Sequence, residues 1–140
     1  EEAHDDDIDL LVTSAYRPFG EQAVLNDRYN RVFGEGANQF SAQQGYSEHQ
    51  LGTTIDFVTP DVDELTQAFA DTEAFEWLED NAHEYGFVLS YPEGNQFYIF
   101  EPWHWRFVGE ELAEDLDDEG EYLYDWSQRE IDSYRSKMFE

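Results

Sequence analysis

The sequence predicts a single α+β domain. Segments with strand-like patterns, at 9–15, 53–58 and 87–109, alternate with segments of helical periodicity. The 140 residues are close to the commonest domain size, and 40% apolar residues suffice for one hydrophobic core. No internal repeat or linker interrupts the chain, so we expect one domain over residues 1–140.

The first part of the chain predicts a strand followed by a helix. Residues 9–15 (DLLVTSA) form a short apolar run, which the turn signal RPFG at 17–20 ends. Residues 21–33 then show helical spacing, and Gly34 supplies a stop signal. The apolar face of this predicted helix carries Leu25, Tyr29, Val32 and Phe33.

The middle of the chain predicts a second strand and two helices. In 53–58 (TTIDFV), Ile55 and Phe57 point to one side, and Thr54, Asp56 and Val58 point to the other. Residues 61–70 predict a weak helix. A stronger helix begins after the cap Thr72 and ends at Gly86. Its predicted inner face carries Phe75, Leu78, Ala82 and Tyr85.

The last third predicts strands and a final helix. FVLSY, the turn PEGN and QFYIF (87–100) predict a hairpin, and the strand WHWRFV (103–108) follows. Residues 122–138 predict an amphipathic C-terminal helix. We expect the acidic N-terminal end, 1–9, to be frayed.

Composition excludes several classes of function. The net charge of −27, from 34 acidic and seven basic residues, opposes binding to nucleic acid or anionic lipid. No apolar run has the length of a membrane span, so we expect no membrane insertion. Without Cys, thiol catalysis and disulfides are excluded. We interpret the acidity as a solvated surface, of which salt adaptation is one form; a cationic partner or weak calcium binding is the alternative.

Two of the four histidines are candidate metal ligands. His49 and His104 lie among acids, glycines and aromatics at strand edges, whereas His4 and His83 fit ordinary surface positions. Asp56 follows His49 by seven positions, across a tight glycine turn. Two imidazoles and one carboxylate suit zinc and leave a fourth position for water. The same residues also fit structural roles in turns, so spacing leaves both interpretations open.

Glu101 is a candidate general base. It precedes His104 by three residues, and a carboxylate that is not a ligand can move a proton between water and a leaving amine. In a regular strand the two side chains would point to opposite sides. Pro102 interrupts that regularity and allows them to converge.

Four stretches resemble, in order, the motif series of the VanY-type D-alanyl-D-alanine carboxypeptidases: SAYRPFGEQ (14–22), GYSEHQLGTTIDF (45–57), WLEDNAHEYGFVLSYPEGN (77–95) and FEPWHWRFVG (100–109). The resemblance implies a Hedgehog/D,D-peptidase-like antiparallel sheet flanked by helices, with one zinc ion per chain. The family motif SxHxxGxxxD matches residues 47–56, and ExxH matches 101–104. These matches imply that His49, Asp56 and His104 bind zinc and that Glu101 is the general base.

The resemblance also implies substrate contacts. Its segment S-x-Y-R-x-x-x-x-Q matches residues 14–22, so Arg17 is expected to hold the oxyanion or the peptide carboxylate. A guanidinium offers a bidentate fork for such a group. Gln22 and Ser47 are expected to position the substrate. Trp103 is a candidate wall of the cleft, although core packing explains it equally well.

The implied activity is release of a C-terminal D-amino acid, D-Ala, from peptidoglycan stem peptides. D,D- and L,D-specificity remain open. The alternatives are an endopeptidase of related fold, cutting between L-Ala and D-Glu, and a wall-binding module with zinc but no turnover. A base such as Glu101 argues against the last alternative. We expect a monomer acting in the periplasm or at the cell surface; a signal or a further piece of the domain upstream of Glu1 is compatible with the abrupt acidic opening.

Overall fold

A four-stranded antiparallel sheet forms the centre of the fold, with the strand order β1-β2-β4-β3. The computed structural model describes residues 1–39, 41–96 and 98–137. The strands are β1 Leu11–Ser14, β2 Thr54–Val58, β3 Phe87–Leu89 and β4 His104–Phe107. The helices are α1 Glu2–Asp5, α2 Phe19–Phe33, α3 Glu73–Asn81, α4 Glu110–Glu119 and α5 Gln128–Asp132. Among these described residues, no helix combines the length and the apolar character needed to cross a bilayer.

The central pair of strands places two functional candidates side by side. In the β2–β4 register, Asp56 lies opposite His104 and Thr54 lies opposite Arg106. On the other side of β2, Ser14 pairs with Asp56 after an irregularity in β1. The predicted alternation of β2 is confirmed, since Thr54, Asp56 and Val58 are buried and the two residues between them are partly exposed.

Two apolar clusters hold the domain together. The larger lies between α3 and the sheet, and its buried aromatic members include Phe69, Phe75 and Trp105. The smaller joins α4 to the chain that follows it: Val108, Leu112, Ala113, Leu116 and Leu123. The larger cluster contains Trp105, the neighbour of His104 in β4, so it supports the strand that carries this candidate.

The predicted helix after Thr72 is confirmed in its start and in most of its inner face. The Thr72 hydroxyl accepts a hydrogen bond from Phe75 N at 3.2 Å, which caps α3. A 3₁₀ turn, Ala82–Tyr85, extends the helix to Gly86. Tyr85 is 41% exposed and so does not belong to the buried face.

The predicted hairpin at 87–100 is wrong. β3 pairs with β4 instead, with Phe87 opposite Phe107 and Leu89 opposite Trp105. The described residues of 96–100 form no strand, and residue 97 lies outside the described part of the chain. Pairing with β4 covers Trp105, which is only 3% exposed, and this burial outweighs the local turn signal.

The face predicted for α2 is only partly right: Leu25 and Tyr29 are half-buried and line the cleft, whereas Val32 and Phe33 are exposed. The helix exists, but its buried residues are Gln22 and Asn26, while Val32 is 68% exposed. The two amides satisfy buried backbone groups: Gln22 Nε2 donates to Ala42 O at 2.6 Å, and Asn26 Nδ2 donates to Ser41 O at 2.8 Å. An unpaired buried carbonyl is costly, so these contacts determine which face of α2 points inwards.

Two other helix predictions need correction. Within 61–70 only the 3₁₀ turn Gln67–Asp71 forms, because the preceding residues are exposed and bury no apolar stripe. The predicted helix 122–138 is reduced to α5, which a capping box at Ser127 starts. Residues 138–140 lie outside the described part of the chain. The helix at Glu110–Glu119 was not predicted, because the many acidic residues in this segment make its short apolar stripe hard to recognise in the sequence.

The N-terminal end packs against the domain, and the expected fraying of residues 1–9 stays a prediction. Ala3 is 7% exposed in α1, and Ile8 N donates to its carbonyl oxygen at 2.8 Å. Trp77 Nε1 donates to Asp6 Oδ2 at 2.8 Å. These contacts tie the acidic segment to α3.

Replacing Gly86 by Ala is expected to destabilise the protein by about 2–5 kcal/mol. Gly86 has a φ of 76°, and an added Cβ would lie 2.8 Å from a Phe107 ring carbon and 2.9 Å from the backbone of residues 109–110. The left-handed backbone costs about 1–2 kcal/mol, and the overlap adds about 1–3 kcal/mol. Gly120→Ala is the matched control, since its φ is 65° with no atom within 4 Å of a Cβ. Equal losses for both variants in urea unfolding would contradict the packing argument.

Candidate metal centre

Three elements bring His49, Asp56 and His104 together. His49 lies in a 3₁₀ turn, Glu48–Leu51, which Gly52 ends with a φ of 74°. This left-handed turn returns the chain directly into β2, where Asp56 lies. His104 is the first residue of β4, opposite Asp56. All three side chains are buried, with donor atoms within 4.8 Å of one another.

The loop after β1 fixes the ring of His49. Arg17 N donates to His49 O at 3.0 Å, and His49 Nδ1 lies 2.7 Å from Ala15 O. A carbonyl oxygen only accepts hydrogen bonds, so Nδ1 carries the proton. In the neutral ring, Nε2 is then left with a free lone pair, which points at Asp56.

The three side chains lie close enough together to hold one metal ion. His49 Nε2 lies 3.1 Å from Asp56 Oδ2, and His104 Nδ1 lies 2.9 Å from Asp56 Oδ1. Zinc–ligand bonds of about 2.0–2.1 Å place tetrahedral ligand atoms about 3.3 Å apart. Two imidazoles and a carboxylate facing one another in a buried site need a proton or a cation between them, so the residues fit a divalent metal.

The charges of this group depend strongly on one another. Burial alone would raise the pKa of Asp56, but its contacts with His104 and His49 lower it to about 2. Burial alone would lower the pKa of His104, but its hydrogen bonds with Asp56 and Glu48 raise it to about 9. In the metal-free protein, positive charge on His104 therefore balances the carboxylates.

Glu48 and Arg106 are neighbours that the sequence analysis did not single out. His104 Nε2 lies 3.1 Å from Glu48 Oε2, and Arg106 Nη1 donates to Glu48 Oε1 at 2.9 Å. Two features of the sequence could have pointed to them: Glu48 is adjacent to His49, and Arg106 follows His104 by two residues in a predicted strand. Neither feature indicates which residue Glu48 or Arg106 contacts, so these contacts become visible only in the folded chain.

Glu101 reaches the same group through a turn. His104 N donates to Glu101 O at 3.1 Å, which closes the turn containing Pro102. The predicted convergence is confirmed, since Glu101 Oε2 lies 3.8 Å from His104 Nδ1. The carboxyl is 8% exposed, and burial raises its pKa to about 7. Such a group can both accept and return a proton near neutrality.

Arg17 faces the same cleft with its guanidinium held at two points. Its Nη1 donates to Gln22 Oε1 at 2.9 Å, and its Nη2 donates to Ser14 Oγ at 3.0 Å. The eight residues selected from the sequence all line this one cleft: Arg17, Gln22, Ser47, His49, Asp56, Glu101, Trp103 and His104. Trp103 also belongs to the apolar core, so it contributes to both.

Tyr91 is a further cleft residue that sequence reasoning missed. Its ring stacks on His104, with centroids 4.6 Å apart and an angle of 16° between the planes. Tyr98 packs beside it at 4.5 Å. The sequence predicted both tyrosines in the strands of a hairpin. In the structure this segment is a loop that turns back to the sheet, so their position in the cleft was not predicted.

The fold and the buried His–Asp–His group define an α+β domain with a site that could hold a metal ion. Residues 1–110 match the family VanY, D-alanyl-D-alanine carboxypeptidase. The chain belongs to this family. It is 36% identical over 115 residues to the putative carboxypeptidase YodJ of Bacillus subtilis, covering 79% of this chain and 42% of that protein. The chain thus spans less than half the length of this relative.

Solved structures share the architecture. The LdcB LD-carboxypeptidase aligns with a TM-score of 0.80 and 34% identity, over 87% of this chain and 59% of the other. A vancomycin-resistance D,D-pentapeptidase VanY, in complex with Zn(II), aligns with a TM-score of 0.75 and 27% identity, over 89% and 74%. The antiparallel sheet with flanking helices, predicted from the sequence, is confirmed.

Proposed function

We propose that this protein is a zinc peptidase that releases the C-terminal D-Ala from peptidoglycan stem peptides. The observation that carries the proposal is one cleft containing a three-ligand group, a separate carboxyl and an anchored guanidinium. The membership of the family and the Zn(II) complex of a similar structure support the metal and the substrate class. We further propose that the protein acts as a monomer outside the cytoplasmic membrane, where this substrate lies.

His49, Asp56 and His104 would hold the zinc. When bound, the ion would polarise the peptide carbonyl and lower the pKa of a water molecule. Glu101, whose Oε2 lies 3.8 Å from His104 Nδ1, would accept a proton from the attacking water and return it to the leaving amine. Its burial keeps bulk water from competing for this proton. The residues of the chain therefore provide proton transfer on one side of the scissile bond.

Arg17 would recognise the terminal carboxylate. The guanidinium is held by Ser14 and Gln22, so its fork is oriented before the substrate binds. Ser47 is buried in the same cleft and would position the peptide backbone. A binding site for a free carboxylate selects the end of a peptide over its middle, which favours a carboxypeptidase over an endopeptidase.

The test uses purified protein with synthetic stem peptides ending in D-Ala-D-Ala and in a single D-Ala. Mass spectrometry should show loss of one terminal D-Ala, and a strong zinc chelator should abolish it until zinc is restored. The preferred peptide separates D,D- from L,D-specificity. Cleavage inside the stem, or a zinc-loaded protein without turnover on any stem peptide, would contradict the proposal.

Arg17→Lys is expected to lower kcat/KM about 10- to 100-fold on peptides with a free carboxylate. Lysine keeps the charge but loses the bidentate fork, and a hydrogen bond to a charged group is worth about 1.5–3 kcal/mol. The loss should be smaller on the same peptide with a C-terminal amide, which has no carboxylate to lose. Arg28→Lys, on the exposed surface of α2, is the control. An equal loss on both peptides would show that Arg17 does not read the carboxylate.

A further inference from the structure

We propose that Glu48, anchored by Arg106, is a positioning residue that sets the tautomer and orientation of His104 for metal binding. This inference rests on the metal site of the proposed function. Glu48 belongs to neither the predicted ligands nor the predicted base. Its role would be to make one ring nitrogen of His104 available to the metal.

The contacts place Glu48 between two side chains of one strand. His104 and Arg106 are two residues apart in β4, so they project from the same face of the sheet. The Glu48 carboxylate spans both, with Oε2 3.1 Å from His104 Nε2 and Oε1 2.9 Å from Arg106 Nη1. The Glu48 side chain is only 10% exposed, which limits competition from water.

The chemistry of the contact selects one tautomer. The ion pair with Arg106 favours an ionised Glu48, and a carboxylate accepts hydrogen bonds but donates none. With a metal ion beside Asp56, a neutral His104 would carry its proton on Nε2, where the Glu48 carboxylate accepts its hydrogen bond. Its Nδ1 lone pair is then directed at the space beside Asp56, where a metal would bind. In the other tautomer, Nδ1–H would donate to Asp56 and block coordination.

Glu48 also connects two metal ligands through the backbone. It is adjacent to His49 in the 3₁₀ turn, and its side chain supports His104 on the opposite side of the group. Displacement of this turn would change both histidines together. His49 already has its own support in the carbonyl of Ala15, so each imidazole has one outer partner.

The experiment compares zinc affinity and thermal stability in wild type, Glu48→Ala, Glu48→Gln and the control Glu114→Ala. Glu114 is an exposed acid of α4, so its replacement makes the same charge change away from the cleft. We expect Glu48→Ala to bind zinc about 10- to 100-fold more weakly in competition with a chromophoric chelator. Glu48→Gln retains one carbonyl oxygen and should recover part of the affinity.

Melting temperatures separate positioning from a merely structural ion pair. A structural role would lower the melting temperature with and without zinc and leave the zinc-induced rise unchanged. A positioning role reduces that rise, because ligand stabilisation depends on the dissociation constant. This comparison remains valid if Glu48→Ala is less stable. Nitrogen-15 NMR of zinc-loaded wild type should also show His104 protonated at Nε2.

Two outcomes overturn the inference: equal zinc affinity and zinc-induced stabilisation in Glu48→Ala and wild type, or a His104 protonated at Nδ1. Absence of zinc binding by wild type would instead refute the metal site itself. The two failures are therefore distinguishable.

Discussion

Glu101→Gln is expected to lower kcat for D-Ala release about 100- to 10,000-fold while zinc stays bound. Positioned acid–base groups contribute rate factors of this size, and glutamine has the shape of glutamate without its ability to accept a proton. Glu101 Oε2 lies 3.8 Å from His104 Nδ1, close to the metal ligands. Steady-state kinetics with a D-Ala detection assay, together with metal analysis of the same samples, measures both parts of the expectation.

Glu93→Gln is the matched control for this experiment, because Glu93 is exposed in the loop after β3. It should retain wild-type kcat. The Glu101 variant should also retain the wild-type KM within a few-fold, since the proposed contact acts on the water and not on the bound peptide. Zinc-loaded Glu101→Gln with undiminished kcat would remove Glu101 from the proposed mechanism.

Asp56→Asn should weaken zinc binding more than about a hundredfold and reduce D-Ala release to background. Asp56 is the carboxylate shared by both histidines, at 3.1 Å from His49 Nε2 and 2.9 Å from His104 Nδ1. Asparagine removes the negative charge and presents an N–H group towards one of them. The expected loss exceeds the about 10- to 100-fold typical of outer-shell changes, because a ligand itself is removed.

Competition with a chromophoric chelator measures this affinity, and Asp61→Asn at an exposed position is the control. Circular dichroism of metal-free samples checks that the Asp56 variant folds. Prolonged chelation of wild type should reproduce the loss of activity without any mutation. Zinc binding by Asp56→Asn as tight as in wild type would exclude Asp56 as a ligand.

Local sequence patterns correctly predicted the elements whose side-chain alternation or helix cap depends on residues close together in the chain. The alternation in 53–58 placed Asp56 on the buried face of β2, because strand side chains alternate regardless of what packs on them. The cap at Thr72 began α3 because its hydroxyl bonds to a backbone group three residues away. The ordered motifs between 14 and 109 predicted the family, and they led to eight side chains that line one cleft.

Patterns failed where a distant partner decided the outcome. The segment 87–100 carries a hairpin signal, yet β3 gains more by covering Trp105 of β4. Val32 and Phe33 of α2 stay exposed, because the buried face of the helix carries Gln22 and Asn26, which donate hydrogen bonds to carbonyl oxygens of residues 41–42. Hydrogen bonds between residues far apart in the chain have no counterpart in local periodicity.

At the candidate metal centre, the residue types could be predicted from the sequence: two imidazoles, two carboxyl groups and a guanidinium. The tertiary structure decided how they are oriented. The bond of His49 to Ala15, the turn that joins Glu101 to His104, and the Glu48–Arg106 pair all connect segments that the motifs treat separately. Such partners fix the tautomer and orientation of each ring, and folding alone brings them into contact because they lie far apart in the sequence.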